Sequence, residues 1–391
     1  MNKLIGQWPS FTKEESDAIS KTLLSNKVNY WNGKHGKEFE VEFSKKMNVK
    51  YSIALANGTL ALELALKALN IKKGDEVIVT PRSFIASVSC VVSTGAKPIF
   101  ADVDRDSGNI TARSIEKVIS SKTKAIICVH LAGWPCEMDA IMELAKKNKI
   151  LVIEDCAQAH GAKYKGKSVG SIGDIGAWSF CQDKIMTTGG EGGMVTTNNK
   201  EMWEFMRSYK DHGKDLNAIE IENKTNSFKW VHNSFGTNSR MTEMQAVIGR
   251  IQLKKIDRWS NKRIKNALEL KSICEKFPSL LRTPVCNKNA THAYYKFYTY
   301  IKPEGLKEGW TRDSIILEFL KSGIPCFQGS CPEIYIESAF NKTGYRPKNR
   351  LKFAKELGET SIMFQVHPTL QKTDIALIKK VMKRIFQKAS M

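Results

Sequence analysis

Residues 178–193 read WSFCQDKIMTTGGEGG, placing one lysine, Lys184, between an aromatic, apolar run and a cluster of glycines. A lysine so placed can be a surface charge, a clamp on a phosphate, or a nucleophile. The third role needs surroundings that depress its pKa, so that the neutral amine can condense with a carbonyl. Gly189, Gly190, Gly192 and Gly193 leave little side chain to crowd whatever such a lysine carries.

Two further stretches carry matching chemistry. The apolar run ILVIED ends in Asp155, with Gln158 three residues on. A carboxylate leaving a buried strand must be paired or hydrogen-bonded, because stranding it is costly. A protonated ring nitrogen would serve; a helix N-cap or a buried salt bridge would also explain it. Asn57-Gly58-Thr59 sits between the strand-like YSIALA and the helix-forming LALELALKAL. Free amides and the positive end of the helix dipole can hold a phosphate there without a basic residue, although a plain N-cap reads the same way. Ser179 lies beside the lysine segment, and Phe84 in TPRSFIAS offers a flat face for stacking or for the core. A phosphate cradle, an aspartate for a pyridinium nitrogen and an imine-forming lysine are together what pyridoxal phosphate requires.

A competing motif has to be weighed. Gly161-Ala-Lys-Tyr-Lys-Gly166-Lys167-Ser168 matches GxxxxGK[ST] letter for letter. A phosphate-binding loop of that kind needs a strand leading straight into it and a helix starting at the lysine. Here ILVIED stops well before Gly161, and VGSIGDIG follows Ser168. At roughly 1 kcal/mol lost per glycine that stretch is a poor helix. YKGK reads instead as a hairpin turn, and the nucleotide-hydrolase reading fails.

The elements that must position these residues alternate along the first two hundred positions. YSIALA, DEVIVT, KPIFADV, KAIICVH and KILVIED are β-rich, with helical patterns at 112–119 and 139–147. That alternation predicts an α/β architecture with a mostly parallel central sheet. Ligands of such sheets gather at the carboxyl ends of the strands. From residue 241 the character changes. Thr242 and Gln245 have capping-box spacing, and Met244, Val247, Ile248 and Ile251 mark a buried helical face. The helix is expected to run on through the charged stretch at 254–270. A helix at 313–321, a strand at SIMFQV and a last helix burying Ile378, Val381, Met382 and Ile385 complete a smaller α+β domain. The expected division is 1–258 and 259–391.

Bulk properties narrow the class. The net charge of +21 comes from lysines spread along the chain, which reads as a solvated surface that would attract polyanionic small molecules. No nucleic-acid partner is expected. Nine cysteines without a CxxC pair read as reduced thiols, and seven scattered histidines predict no metal site. The start MNKLIGQWPS lacks a signal-peptide core, and the most apolar run is broken by Pro81 and Arg82, so a cytoplasmic protein without membrane contact is expected.

NGTLALELAL, GDEVIVTPRSFIAS, KAIICVHLAGWP, VIEDCAQAHGAKYKGKSVGSIGD, WSFCQDKIMTTGGEGGMVTT and FGTNSRMTEMQAVIGRIQL resemble, in order and spacing, the nucleotide-sugar aminotransferases of the DegT family. These are fold-type I pyridoxal phosphate enzymes, aspartate-aminotransferase-like in their large domain. The likeness is strong over residues 5–260 and weaker at ELGETSIMFQVHPTL. It implies Lys184 as the Schiff-base lysine, Asp155 at the pyridine nitrogen and Gln158 near the ring hydroxyl. It also implies Phe84 stacked on the ring, with Gly58, Thr59 and Ser179 on the phosphate. Asn238, in the G-x-N-x-R-M stretch, would reach the phosphate from the neighbouring subunit of a homodimer with shared active sites. One branch of the family carries histidine at the lysine position and dehydrates sugars; Lys184 favours transamination. A few relatives act as regulators, against which the complete cofactor set argues.

The resemblance therefore implies transfer of an amino group from L-glutamate, leaving 2-oxoglutarate, to a keto-sugar nucleotide. The cofactor would be pyridoxal 5'-phosphate, with pyridoxamine 5'-phosphate as its amino-carrying form. WPSFTKEE, NKVNYW and CQDKIMTTGGEGGM look most like C-4 aminotransferases of bacterial glycan biosynthesis, acting on UDP-2-acetamido-2,6-dideoxy-4-keto-hexose to give a bacillosamine-type sugar. A 3-keto sugar and a dTDP- or GDP-linked one are the alternatives. NYWNGKHGKEFE and SFKWVHNSFG are expected to line the sugar and nucleotide pocket, with Tyr30, Trp31 and His232 open to a packing role.

Overall fold

The alternating runs of the first two hundred residues fold into one sheet. In the computed structural model, which describes residues 5–215 and 230–391, its strands are β1 (Tyr51–Leu55), β2 (Glu76–Val79), β3 (Lys97–Phe100), β4 (Thr123–Val129) and β5 (Leu151–Asp155). After a small hairpin, β6 (Lys163–Tyr164) and β7 (Lys167–Ser168), come β8 (Ile175–Ser179) and β9 (Gly193–Thr197). The order across the sheet is β1-β9-β8-β5-β4-β2-β3. β3, β2, β4, β5 and β8 pair in parallel, while β9 runs antiparallel between β8 and β1. Helices cover both faces, so alternate residues of one strand enter different cores. Val77 and Val79 of β2 pack with Leu62 and Val88, whereas Ile78 packs with Ile126 and Ile141. Burial on both faces is why these strands read as continuous apolar runs.

The hairpin accounts for the P-loop look-alike. Tyr164 pairs with Lys167, and the two turn residues, Lys165 and Gly166, both have positive φ, 47° and 79°. That twist matches the strands it joins, and Gly166 adopts it without steric cost. No helix follows Ser168.

Thr242 caps the helix Glu243–Leu253 in a capping box with Gln245, as the spacing predicts. The expected continuation through 254–270 is interrupted. Lys255 donates to the carbonyl of Gln252 in a tightened last turn, and a new helix runs from Ile256 to Cys274. Gln252 is held in place because its side-chain oxygen accepts from the Thr187 amide at 2.8 Å. The second helix spans residue 258 and joins two cores. Trp259 packs with Phe39, Trp178 and Tyr295, while Ala267, Leu270 and Cys274 pack under a second sheet.

That sheet is antiparallel, with β10 (Leu281–Arg282), β12 (Phe297–Ile301), β13 (Cys326–Phe327) and β14 (Ser361–Phe364) in the order β10-β12-β14-β13. β11 (Ala290–Thr291) leaves it to pair with β6. The helices Arg312–Lys321 and Lys372–Ala389 cover one face, the latter burying Ile378, Val381, Met382 and Ile385. Among the described residues no helix is long and apolar enough to cross a membrane.

Candidate active site

The carboxyl ends of β1, β2, β5 and β8 open into a cavity of about 880 Å³, closed on the far side by Tyr295, Tyr298 and Phe327. Asp155 is the last residue of β5 and is buried. Its Oδ2 accepts from the Ser87 hydroxyl at 2.8 Å and its Oδ1 from the Ala157 amide at 3.1 Å. Ser87 lies 2.9 Å from Ser83 Oγ, so a short hydroxyl chain supports the carboxylate. Burial nevertheless pushes the Asp155 carboxyl above its ordinary pKa, outweighing Ser87, Ala157 and the more distant Lys184. A buried carboxyl with raised affinity for a proton, facing a cavity, suits a protonated partner.

The helix start after β1 is built differently. Asn57 caps the helix Gly58–Ala68 by accepting from the Leu60 amide at 3.0 Å, so the N-cap reading is correct. The preceding amides of Gly58 and Thr59 are first-turn donors that have no intrahelical acceptor, and both residues line the cavity. A Cβ on Gly58 would stand 2.6 Å from Cβ of Ser179, so only glycine lets the helix start close against β8. In the glycine cluster after Lys184, Gly189, Gly192 and Gly193 serve close packing, a Cβ on Gly193 standing 2.2 Å from the Asn57 carbonyl oxygen, whereas Gly190 faces open space and is set by its φ of 133°. Among residues 189–193 only Glu191 reaches the cavity.

Lys184 follows β8 on a turn whose carbonyl accepts from Trp8 Nε1 at 2.8 Å. Its Nζ lies 3.6 Å from Asp183 Oδ1 and 5.2 Å from the centre of the Tyr295 ring. The Tyr295 hydroxyl donates to Asp183. Burial pushes the Asp183 carboxyl up, but Lys184, the Tyr295 hydroxyl and Lys296 outweigh it and hold it low. His160 lies on the aromatic wall behind, 5.2 Å from Trp178, with its pKa pulled to about 3 by burial and by the nearby Lys184 and Arg263. Gln158 accepts from the Ala132 amide at 2.8 Å through Oε1, which leaves its NH₂ for the cavity it lines. Phe84 lines the same space with 68% of its surface exposed.

The residues present fit pyridoxal phosphate. Asp155 is a buried carboxyl at the cavity that favours a proton, which suits a protonated ring nitrogen; the first-turn amides of Gly58 and Thr59 beside Ser179 suit a phosphate; and Lys184 lines the same space. Seven of the eight residues expected from the sequence line one cavity: Gly58, Thr59, Phe84, Asp155, Gln158, Ser179 and Lys184. Asn238 does not. It is exposed, bridges Asp211, and belongs to a strand-like segment in which Ser239 accepts from the Ala56 amide at 2.9 Å. The described residues of the two stretches expected to line the sugar pocket are absent from the cavity as well. Tyr30 is core, donating to Glu40 at 2.9 Å beneath the Lys210 ammonium, Trp31 sits under Lys214, and His232 bridges Lys214. Residues 227–229 of SFKWVHNSFG lie outside the described residues.

Sequence reasoning missed Ser87, Asp183, Tyr295, Lys296 and Trp8. Ser87 had a signal, one helical turn after Ser83, and Lys296 had another, a lone charge inside the aromatic run HAYYKFYTYI. Tyr295 and Trp8 had none.

Residues 9–385 match the DegT/DnrJ/EryC1/StrS aminotransferase family. The solved structure of an aminotransferase from Psychrobacter cryohalolentis is 56% identical, with a TM-score of 0.97, over 98% of this chain and 99% of that one. GDP-perosamine synthase of Escherichia coli O157:H7 is 41% identical over 288 residues, 73% of this chain and 75% of its own. Spr1654 of Streptococcus pneumoniae, described as a sugar aminotransferase and solved in a PLP form, is 26% identical with a TM-score of 0.86 over 97% of both chains. The fold is the α/β fold of the type I pyridoxal phosphate enzymes.

Proposed function

The chain belongs to the DegT/DnrJ/EryC1/StrS aminotransferase family, and from that premise we propose that it moves an amino group from L-glutamate to the keto group of a nucleotide-linked hexose. The observation that carries the reading is the meeting of Lys184 and Asp155 in one cavity, from the ends of two neighbouring strands. Bound pyridoxal phosphate would supply an aldehyde to hold the amino group and a ring to accept electrons. Asp155 would keep a proton on the ring nitrogen, and the Gly58 and Thr59 amides with Ser179 would hold the phosphate. Gln158 would orient the ring through its free amide, and Phe84 would cover one face. Lys184 would anchor the resting state and, once displaced, carry a proton to and from the substrate carbon as general acid and base.

The acceptor we favour is UDP-2-acetamido-2,6-dideoxy-4-keto-hexose, aminated at C-4 for bacterial glycan biosynthesis. The likeness to GDP-perosamine synthase supports a sugar nucleotide as the class and makes a GDP-linked sugar the second candidate. We also propose a homodimer with shared sites. Asn238 is exposed outside its own cavity, and Phe235, three residues earlier, is fully exposed. Residues 1–258 and 259–391 would be the large and small domains, with the helix Ile256–Cys274 as their joint.

The test is spectroscopic. The yellow holoprotein should bleach with L-glutamate and regain colour with one member of a panel of UDP-, GDP- and dTDP-linked keto-sugars. Failure of every amino donor to bleach it defeats the proposal. Lys184→Ala should fold normally and turn over nothing.

A further inference from the structure

The cavity holds a second lysine with no part in the steps above. Lys296 immediately precedes β12 and lines the same cavity as Lys184. Its Nζ lies 3.9 Å from Asp183 Oδ2 and 4.6 Å from the centre of the Tyr295 ring. Lys184 Nζ meets the other oxygen of the same carboxylate and the same ring. The two ammonium groups thus flank one acid and one aromatic face.

Lys296 is under-partnered for its burial. Its side chain is 17% exposed, and 3.9 Å is an ion pair beyond hydrogen-bond length, to a carboxylate already shared with Tyr295 and Lys184. Burial, with Arg263 and Lys184 adding, pulls its pKa to about 8 against the pull of Asp183. Holding an ammonium there is costly until an anion joins it. Among the described residues that line the cavity, Lys184 and Lys296 are the basic ones, against Glu63, Asp155, Asp183 and Glu191. The phosphate is assigned to the first-turn amides of Gly58 and Thr59 with Ser179, so it makes no demand on Lys296. An amino donor, in contrast, must bring its α-carbon to Lys184 with a carboxylate on that same carbon.

We propose that Lys296 binds a carboxylate of the amino donor, and of the 2-oxo acid it becomes, at the Asp183–Tyr295 wall of the cavity. The assignment rests on the aminotransferase reading. Asp183 would hold the ammonium in place without sharing a full hydrogen bond, so that the incoming carboxylate finds a pre-oriented donor.

Kinetics of the holoenzyme, with L-glutamate and the keto-sugar nucleotide varied separately, tests it. Lys296→Met should raise KM for glutamate roughly 10- to 100-fold, the range for a charge-assisted hydrogen bond, with kcat changed only a few-fold. KM for the sugar nucleotide and the yellow absorbance should be unchanged. Calorimetry with glutarate, a dicarboxylate lacking the amino group, should show binding to wild type and Lys296→Arg but none to Lys296→Met. An unchanged glutamate KM, or wild-type protein that ignores glutarate, overturns the proposal. A rise confined to the sugar nucleotide also overturns it, moving the contact to the diphosphate. If wild type consumes no amino donor, the aminotransferase reading is what fails, and the glutarate measurement still judges Lys296. If Lys296→Met loses cofactor or fold, the wild type against Lys296→Arg comparison with glutarate decides.

Discussion

Glu154 and Asp155 are neighbours on β5 whose carboxylates enter opposite faces of the sheet and are shifted in opposite directions. Glu154 accepts from His130 Nε2 at 3.0 Å and from the amides of Ile172 and Gly173 at 2.8 and 2.7 Å. Burial pushes it up, but those bonds outweigh burial and hold it low. His130 must carry its proton on Nε2, because its Nδ1 accepts from the Cys136 amide at 3.0 Å. Asp155, one residue on, has fewer donors, and burial wins. One acid is satisfied by the fold; the other faces the cavity with a carboxyl that favours its proton.

Asp155→Asn should therefore separate stability from function. A carboxyl whose folded pKa is raised weakens the fold as pH climbs from the unfolded value through the folded one, so at pH 7 the ionised form is a liability. The apoprotein of the variant should melt higher than wild type at pH 7, by about 1–3 °C, with the difference vanishing in acid. Cofactor affinity should fall on the order of 100-fold, since a buried cation would lose its partner. Calorimetric melts and a cofactor titration check both arms; a variant that melts lower and still binds tightly contradicts the assignment.

Gly58→Ala should damage the phosphate cradle specifically. The new Cβ would stand 2.6 Å from Cβ of Ser179, between two elements that cannot both yield. Overpacking of this kind costs about 1–3 kcal/mol, and displacement of the first-turn amides should weaken cofactor binding at least tenfold. Equilibrium dialysis of the cofactor is the measurement, and normal affinity would place the phosphate elsewhere.

Donor binding should depend on pH through Lys296. The charged groups around it are Asp183, Lys184 and Arg263, with the Tyr295 ring between. Its ammonium persists below a pKa of about 8 and is lost above it, so KM for glutamate should rise as pH passes that value. Arginine stays protonated throughout. Lys296→Arg should hold KM level over the same range, and a wild-type profile equally level would remove Lys296 from the contact.

Mixing subunits tests the shared site. Lys184→Ala and Asn238→Ala homodimers should each be impaired. Mixed dimers should regain roughly a quarter of wild-type activity, because one of two sites in half the dimers is then intact. Mixtures no better than their parents would confine Asn238 to its own subunit.

Much of this protein could be read from its residue order. The strand ends, the Asn57 cap, the Thr242 capping box and the YKGK turn all depend on contacts within a few positions, which spacing records. Asp155, Lys184 and the Gly58 loop were legible for the same reason, as each closes a strand or opens a helix. The break before Ile256 was not, because no glycine or proline marks it in IQLKKIDRW. Nor was the wall facing Lys184. Tyr295 and Lys296 arrive from the segment just before β12 of another sheet, and Trp8 from the chain's start; a lone charge in an aromatic run marked Lys296, but no local pattern announced what it faces. Tertiary structure alone settled what satisfies Glu154, since His130 and the amides of Ile172 and Gly173 reach it from segments distant in the chain. A strand's period of two sends neighbours apart, and what each meets there depends on segments that pack from elsewhere.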